Sequence, residues 1–469
     1  MKIEERCSMG QDGLGVSPAN RGVRRSRTML SAVLALVAGV LGSGCAREIP
    51  RDPVARWIDE SAVPLRELGG GGDRGEVFGE AFERARVVGL GEATHGQRES
   101  FEAKRAITMH LIEHHGFRIV AYEASASAAK ACDAYISGAS DDLKAGMGGL
   151  GMMIWQIEEN AALLRDLRAW NQRASAEERV RFVGVDVQDA EAAAASLERA
   201  LKDRWSAEAA QVLSIRDRLN DRVSAMFSGN RAGYDELVRE TDELGARLRA
   251  ALAGAGLSPA EAAAFRGALR EFEGCVRMHL TPGGRDRAMG ELTVGALEDA
   301  GANAKMVLWA HNMHICRSPL RYLESDELAA GGHIARSLGD RYYAIGFAFG
   351  EGEFVANDLD NGTWIFRTYG IDPPSEGMLE YPFHAVLKEA SIVDLRSQTG
   401  EEKVEHWKRE GHPQRWLGGY RVPANIREMS RDATKFLPTY PREAFDALVF
   451  LPRTTGSTPI RSGSDAKGR

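Results

Sequence analysis

Short, β-rich apolar runs alternate with stretches of helical periodicity over most of the chain. Five runs read as strands: Arg86–Leu90, Arg118–Tyr122, Val180–Val185, Met306–Ala310 and Ala344–Ala348, and a sixth, Ala447–Leu451, has the same character. Between the first two, Arg98–His115 sets Phe101, Ile107, Leu111 and Ile112 near one face, and Gly116 stops the helix. Trp155–Trp170 does the same with Ile157, Leu163, Leu164 and Leu167. Residues 188–280 lack strand signals and are rich in Ala, Glu, Arg and Leu. They predict three or four inserted helices, one starting at Ser258-Pro259-Ala260-Glu261 with a Ser cap and an early Pro. Strand–helix alternation of this kind predicts an α/β fold: a mostly parallel central sheet flanked by helices, with a helical insertion between strands three and four. Residues 46–80 read as a flexible linker containing the run Gly69–Gly72, and residues 81–460 as one catalytic domain. The polar tail beyond Thr454 is expected to fray, with 461–469 disordered.

The 469 residues are 43 % hydrophobic and 27 % charged, which excludes wholesale disorder, collagen and a multi-span membrane protein. A net charge of −7 argues against a nucleic-acid partner. Five cysteines without a CxxC spacing offer neither a disulfide scaffold nor a zinc-thiolate site. The N-terminus changes the picture more. Arg21, Arg24, Arg25 and Arg27 precede the uncharged stretch Met29–Gly42, which is too short for a comfortable membrane span, and Gly42, Ser43 and Gly44 lead into Cys45. Residues 1–45 therefore read as a lipoprotein-type signal, lipidated at Cys45. The expected location is the periplasm, with membrane contact only through that anchor.

In parallel α/β sheets, ligands bind beyond the carboxyl ends of the strands. Strand one here runs into Gly91-Glu92-Ala93-Thr94-His95-Gly96, strand two ends at Glu123, strand three at Asp186, and strand four runs into His311-Asn312-Met313-His314. Such groups are costly to bury without partners, so their convergence implies shared protons, a metal or a polar ligand. Glu92, His95, Glu123, His311 and His314 are the candidate catalytic residues. Asp186 is either a substrate contact or the start of the helical insertion. Trp155, with Met152 and Met153, reads as core or as a pocket wall touching substrate. His110, His114 and His115 read as surface residues, since no HExxH pattern links them. Ser125 and Ser127 lack the G-x-S-x-G elbow of a serine nucleophile.

The stretch from Gly91 to Ala124, with Trp155–Asn171, Arg181–Gln188, Arg285–Met289, Trp309–Ile315, Tyr342–Phe354 and Leu451–Pro459, resembles the erythromycin esterase family, which includes proteins labelled as succinoglycan biosynthesis proteins. The resemblance covers roughly residues 80–460. It implies an α/β fold with a large helical part and hydrolysis of a macrolide ring ester, the chemistry of antibiotic-inactivating members, without a serine nucleophile. It places the general base at His95 and the other active-site residues at Glu92, Glu123, His311 and His314. The family's active-site arginine, nine residues after that histidine, falls on Lys104 here. Lysine keeps the charge but loses the forked guanidinium geometry.

A neutral imidazole takes a proton from water near pH 7, its unperturbed pKa being about 6.5. Glu92 or Glu123 would orient it, and Lys104 or a histidine at 311 or 314 would donate to the oxyanion. The expected activity is thus hydrolysis of a small-molecule carboxylic ester or lactone, with no cofactor. Two alternatives use the same residues. A divalent metal held by Glu92, His95, Glu123, His311 and His314 would activate the water instead. An exported haem- or ligand-binding lipoprotein would use the histidines without chemistry.

Overall fold

The computed structural model describes residues 52–68, 73–226, 233–278, 283–320, 326–420 and 422–460. Nine strands form one mixed sheet: β1 (Val63–Pro64), β2 (Val87–Leu90), β3 (Ile119–Ser125), β4 (Arg181–Asp186), β5 (Met306–Trp309), β6 (Tyr342–Asp360), β7 (Thr363–Ile371), β8 (Ser391–Asp394) and β11 (Ala447–Thr454). A separate antiparallel pair joins β9 (His412–Pro413) to β10 (Pro438–Thr439). The order across the sheet is β1-β8-β11-β6-β2-β5-β3-β4, with β7 beside the outer half of β6.

The six strands legible in the sequence are the six that pair in parallel: β4, β3, β5, β2, β6 and β11. Buried on both faces, parallel strands read as continuous apolar runs. Alternate residues feed opposite layers. Ile119, Met306 and Leu308 join the core on one side, and Val120, Val307 and Trp309 join the core on the other. β1, β7 and β8, which the strand reading omits, are antiparallel additions. β1 is two residues long, β7 is largely exposed and β8 holds only two apolar residues, Ile392 and Val393, so the apolar signal is weak there.

The insertion between β4 and β5 holds the helices Ala190–Leu201, Ser206–Met226, Tyr234–Leu252 and Pro259–Arg277, followed by Gly284–Asp299. The Ser258 hydroxyl and the Glu261 carboxylate exchange hydrogen bonds with each other's backbone N–H at the start of the fourth. Arg98–His115 is helical as expected, ending at Gly116 in the left-handed region (φ 70°). The next helix begins later than its sequence pattern suggests, at Glu158, after a 3₁₀ turn over Met153–Trp155.

Two expectations are corrected. The segment read as a linker over 46–80 contains the helices Pro53–Ser61 and Asp73–Arg84. Asp52 caps the first, accepting from Ala55 N–H at 2.8 Å, and Val54, Trp57 and Ile58 enter the core. Phe78 and Phe82 of the second are also buried. Short amphipathic helices around a glycine run resemble loop in composition, and burial of a few large side chains decides otherwise. The polar stretch after Thr454 does not fray before residue 460: Thr455 N–H donates to Glu99 at 2.7 Å and Ile460 N–H donates to the Gln156 carbonyl at 2.9 Å. The 461–469 tail and the whole 1–45 signal, Cys45 included, lie outside the described residues.

The loop after β2 is held against β6. Val355 N–H donates to the Gly96 carbonyl at 2.9 Å, and Ser457 N–H donates to the same oxygen at 2.9 Å. A Cβ on Gly96 would stand 1.7 Å from the Val355 carbonyl oxygen. Gly96→Ala should therefore destabilise the fold by more than about 3 kcal/mol, a backbone collision that cannot relax locally. Chemical denaturation measures it, and an unchanged midpoint would contradict this packing.

Candidate active site

The carboxyl ends of four parallel strands meet at one rim of the sheet, and each delivers the group its sequence position suggested. In the loop after β2, His95 Nδ1 lies 2.8 Å from Glu92 Oε1. The other oxygen of Glu92 accepts from Lys104 Nζ, nearly two turns into the Arg98–His115 helix. Lys104 is 1 % exposed and packs over the Trp309 ring, 4.6 Å from its centroid. It therefore anchors Glu92 from behind and does not face a cleft, which corrects the expected substrate-binding or oxyanion role. His95 is the most accessible of the pair, its side chain 12 % exposed against 1 % for Glu92.

At the end of β3 the register to β4 shifts between Tyr122 and Ser125, so Glu123 and Ala124 oppose Val185 alone. Such a bulge re-aims a side chain. Glu123 Oε2 accepts from His311 N–H at 2.9 Å, and its Oε1 accepts from Arg285 Nη2 at 2.9 Å. Asp186, at the end of β4, takes two hydrogen bonds from the same guanidinium, Nε to Oδ1 at 2.9 Å and Nη2 to Oδ2 at 2.7 Å. Asp186 is 2 % exposed, so it orients Arg285 rather than touching substrate directly.

After β5 the two histidines part company. His311 Nδ1 accepts from Met313 N–H at 3.2 Å, and its Nε2 lies 3.2 Å from the Ala93 carbonyl. Both nitrogens thus serve the backbone, in the neutral tautomer with the proton on Nε2. The ring stands 5.2 Å from that of His95, edge to face. His314 Nδ1 lies 2.8 Å from Asp286 Oδ1, and its Nε2 lies 3.5 Å from Glu123 Oε1 and 3.1 Å from Arg285 Nη1. Trp155 is 1 % exposed and meets the His95 ring edge to face at 4.6 Å, forming a wall for the imidazole. The bundle His110, His114 and His115 takes no part. His115 pairs with Glu83 at 2.8 Å near the far end of its helix.

Sequence reasoning missed Arg285 and Asp286 as site residues. Their only signal was position inside one of the matching motifs, because they sit at the start of the Gly284–Asp299 helix rather than at a strand end.

Glu92, His95 and Glu123 each bring one donor atom within 4.8 Å of the others, the single group of this kind among the described residues. The donor types suit a divalent ion, but Lys104 holds one oxygen of Glu92, and Arg285 and the His311 amide hold both oxygens of Glu123, so ligation would have to compete with partners already in place.

The erythromycin esterase family profile matches residues 112–454. The chain belongs to the erythromycin esterase family. Solved structures share its fold. A crystal structure of a Bacillus cereus protein superposes with a TM-score of 0.72 at 23 % identity, covering 87 % of this chain and 98 % of that one. A succinoglycan biosynthesis protein gives 0.69 at 19 % identity with the same coverage, 87 % and 98 %. A mutant of the erythromycin esterase EreC, in its open conformation, gives 0.59 at 16 % identity, covering 81 % and 94 %. Family membership supports an ester-hydrolysing enzyme.

The electrostatics of this esterase's site are set by burial working against pairing. Burial pushes the Glu92 carboxyl up, but Lys104 and His95 outweigh it and hold the group below the ordinary range. Burial likewise opposes ionisation of Glu123, while the charges of His314 and Arg285 and the His311 amide leave it well below normal. Asp186 is lowered by Arg285 against its own burial. Burial pushes His311 down to about 3, helped by the neighbouring His95, so it stays neutral. Burial also acts to lower His314, but Asp286 and Glu123 prevail and raise it.

These shifts give a pH dependence of stability. Between pH 6.5 and about 3 the unfolded chain protonates His311 and the folded one does not, so stability falls as pH drops through that window, by up to ~1.4 kcal/mol per pH unit. The depressed Glu123 and Asp186 add to the loss below about pH 4.5. The raised His314 acts oppositely, its contribution being present below 6.5 and lost as pH rises through its folded pKa. Urea titrations from pH 7 to 4 should show the decline beginning near 6.5, and His311→Asn should make it shallower, the remaining slope coming from His110, His333, His384 and His412, which burial also lowers. Equal slopes for the two proteins would contradict a neutral, buried His311.

Proposed function

We propose that this esterase cleaves a small-molecule carboxylic ester or lactone, macrolide ring esters among them, with His95 as general base toward water. The observation that carries the reading is the sequence Lys104–Glu92–His95. Glu92 grips Nδ1 of the imidazole while Lys104 holds the carboxylate in place, which leaves Nε2 for a water. As the water attacks the carbonyl carbon, its proton passes to Nε2, and Glu92 stabilises the imidazolium, as the carboxylate of a triad does. Arg285, whose side chain is 24 % exposed, is assigned to the developing oxyanion. Collapse of the tetrahedral intermediate returns the proton from His95 to the departing alkoxide.

Charge balance supports a proton-accepting site. Glu92, Glu123, Asp186 and Asp286 are four carboxylates facing two fixed cations, Lys104 and Arg285. Two negative charges remain for His314 and for the imidazolium formed at His95. A serine nucleophile gains no support from Ser125 and Ser127. Ser125 donates to Glu271 Oε1 at 2.7 Å and Ser127 donates to the other oxygen of that carboxylate, so neither pairs with a histidine.

On a panel of macrolides and simple esters, His95→Asn and Glu92→Gln should each lower kcat by about a thousandfold with the fold retained, and chelator should leave the wild type unchanged. Normal turnover by His95→Asn would overturn the assignment of the base. Loss of activity in chelator, restored by zinc or manganese, would favour the metal reading instead.

The reading includes export to the periplasm and a lipid on Cys45, carried by the basic flank, the apolar stretch and the small residues before that cysteine. No helix among the described residues is long and apolar enough to cross a membrane. Expressed in a Gram-negative host, the wild type should take up labelled palmitate and Cys45→Ala should not. Equal labelling of the two proteins, or none in either, would overturn the anchor.

A further inference from the structure

Three histidines crowd the last two turns of the Arg98–His115 helix, at the end away from the active site. Lys104, which that helix sends to Glu92, precedes His115 by about 16 Å at the usual helical rise. His110 Nε2 stands 3.3 Å from His115 Nε2. The ring centroids of His114 and His115 lie 4.9 Å and 5.1 Å from that of His110. Phe82, from the Asp73–Arg84 helix, backs the pair edge to face, 6.3 Å from His110 and 5.4 Å from His115.

The pair is preset for ligation. Glu83 Oε1 lies 2.8 Å from His115 Nδ1, so that nitrogen carries the proton and donates it to the carboxylate. The lone pair of the neutral ring then falls on Nε2, facing His110. A carboxylate on the back nitrogen is the arrangement that orients metal-binding imidazoles and raises their basicity. Lys305 holds the carboxylate in turn. Its Nζ lies 3.7 Å from Glu83 Oε2 and donates to the Phe82 and Glu83 carbonyls at 3.2 Å and 2.9 Å. Among the described residues, His110 Nε2 and His115 Nε2 have no hydrogen-bond partner but each other.

The spacing is that of a chelate. Zinc binds imidazole nitrogen at about 2.0–2.1 Å in tetrahedral geometry, which sets two ligand nitrogens about 3.3–3.4 Å apart. The observed 3.3 Å matches. His114, four residues after His110 and so on the same side of the helix, is exposed. Its nitrogens stand farther off than the other two, and rotation of an exposed side chain brings it in as a third ligand. The negative end of the helix dipole favours a cation at this terminus. Unlike the carboxylates beside His95, the two facing nitrogens have no resident cation to displace.

We propose that His110, His114 and His115 hold one divalent transition ion of the zinc class, with Glu83 as the carboxylate behind His115. Three imidazoles suit zinc, nickel or copper and not magnesium or calcium, which take oxygen ligands. The ion sits apart from the Glu92–His95–Glu123 cluster and clamps the final turns of the helix that supplies Lys104.

Zinc chloride is titrated calorimetrically into the untagged full chain, both wild type and His95→Asn. One equivalent should bind in each, and magnesium chloride should not compete. His110→Gln and His115→Gln should each weaken zinc binding by at least about tenfold, Glu83→Gln by about tenfold and His114→Gln by about fivefold. Zinc should also raise the unfolding temperature of the wild type and leave that of His115→Gln unmoved. Glu83 and His114 are exposed, so their variants decide the matter if a half-buried histidine proves necessary for folding. The absence of saturable zinc binding, or an affinity unchanged by Glu83→Gln and His114→Gln, would overturn the site. Binding that disappears in His95→Asn would place the ion in the other cluster and overturn it equally.

Discussion

One carboxylate, Glu92, accepts from Lys104 on one oxygen and from His95 on the other, and the geometry of the site depends on that sharing. A buried carboxylate with a single partner is free to rotate and is driven toward its neutral form. With Lys104 packed behind it over Trp309, Glu92 is charged and immobile. His95 inherits both properties, since its Nδ1 is held at a fixed place beside a fixed negative charge. The resemblance places the family's arginine at this position, and a lysine matters less here than it would at a substrate-facing site. A point charge is sufficient to hold one oxygen, and a forked guanidinium would need two acceptors where Glu92 offers one.

The second half of the site applies the same rule with a different cation. Arg285 spans Glu123 and Asp186 through its planar fork, where bidentate geometry is put to use. His314 closes the network by turning one nitrogen to Asp286. His311 is the exception among the ionisable groups. Its nitrogens are committed to backbone, burial keeps it neutral, and its part is to hold the turn after β5 and to present a ring edge to His95.

The sheet explains why these residues can be so crowded. Parallel strands end in step along one rim, so β2, β3, β4 and β5 deliver their terminal residues side by side. The antiparallel extension of β6 by β7 then carries the chain beyond the rim, and the Leu417–Tyr420 segment is laid across it onto His95. The candidate catalytic groups therefore sit on rigid strand ends, while the surfaces around them come from the ribbon and from a late loop.

Local pattern determined the parallel core, its flanking helices and the positions of Glu92, His95, Glu123, Asp186, His311 and His314 at strand ends. Burial on two faces writes itself into a strand as an unbroken apolar run, and a charged residue just after such a run is conspicuous. Tertiary structure alone decided which charges pair. Arg285 lies far along the chain from Glu123 and Asp186 on a helix start, so no spacing ties it to them, and the bulge that aims Glu123 depends on a neighbouring strand. Pairing energies act through space between groups distant in sequence, so the roles of Lys104 as an anchor and His311 as a neutral brace emerge only when the chain is folded.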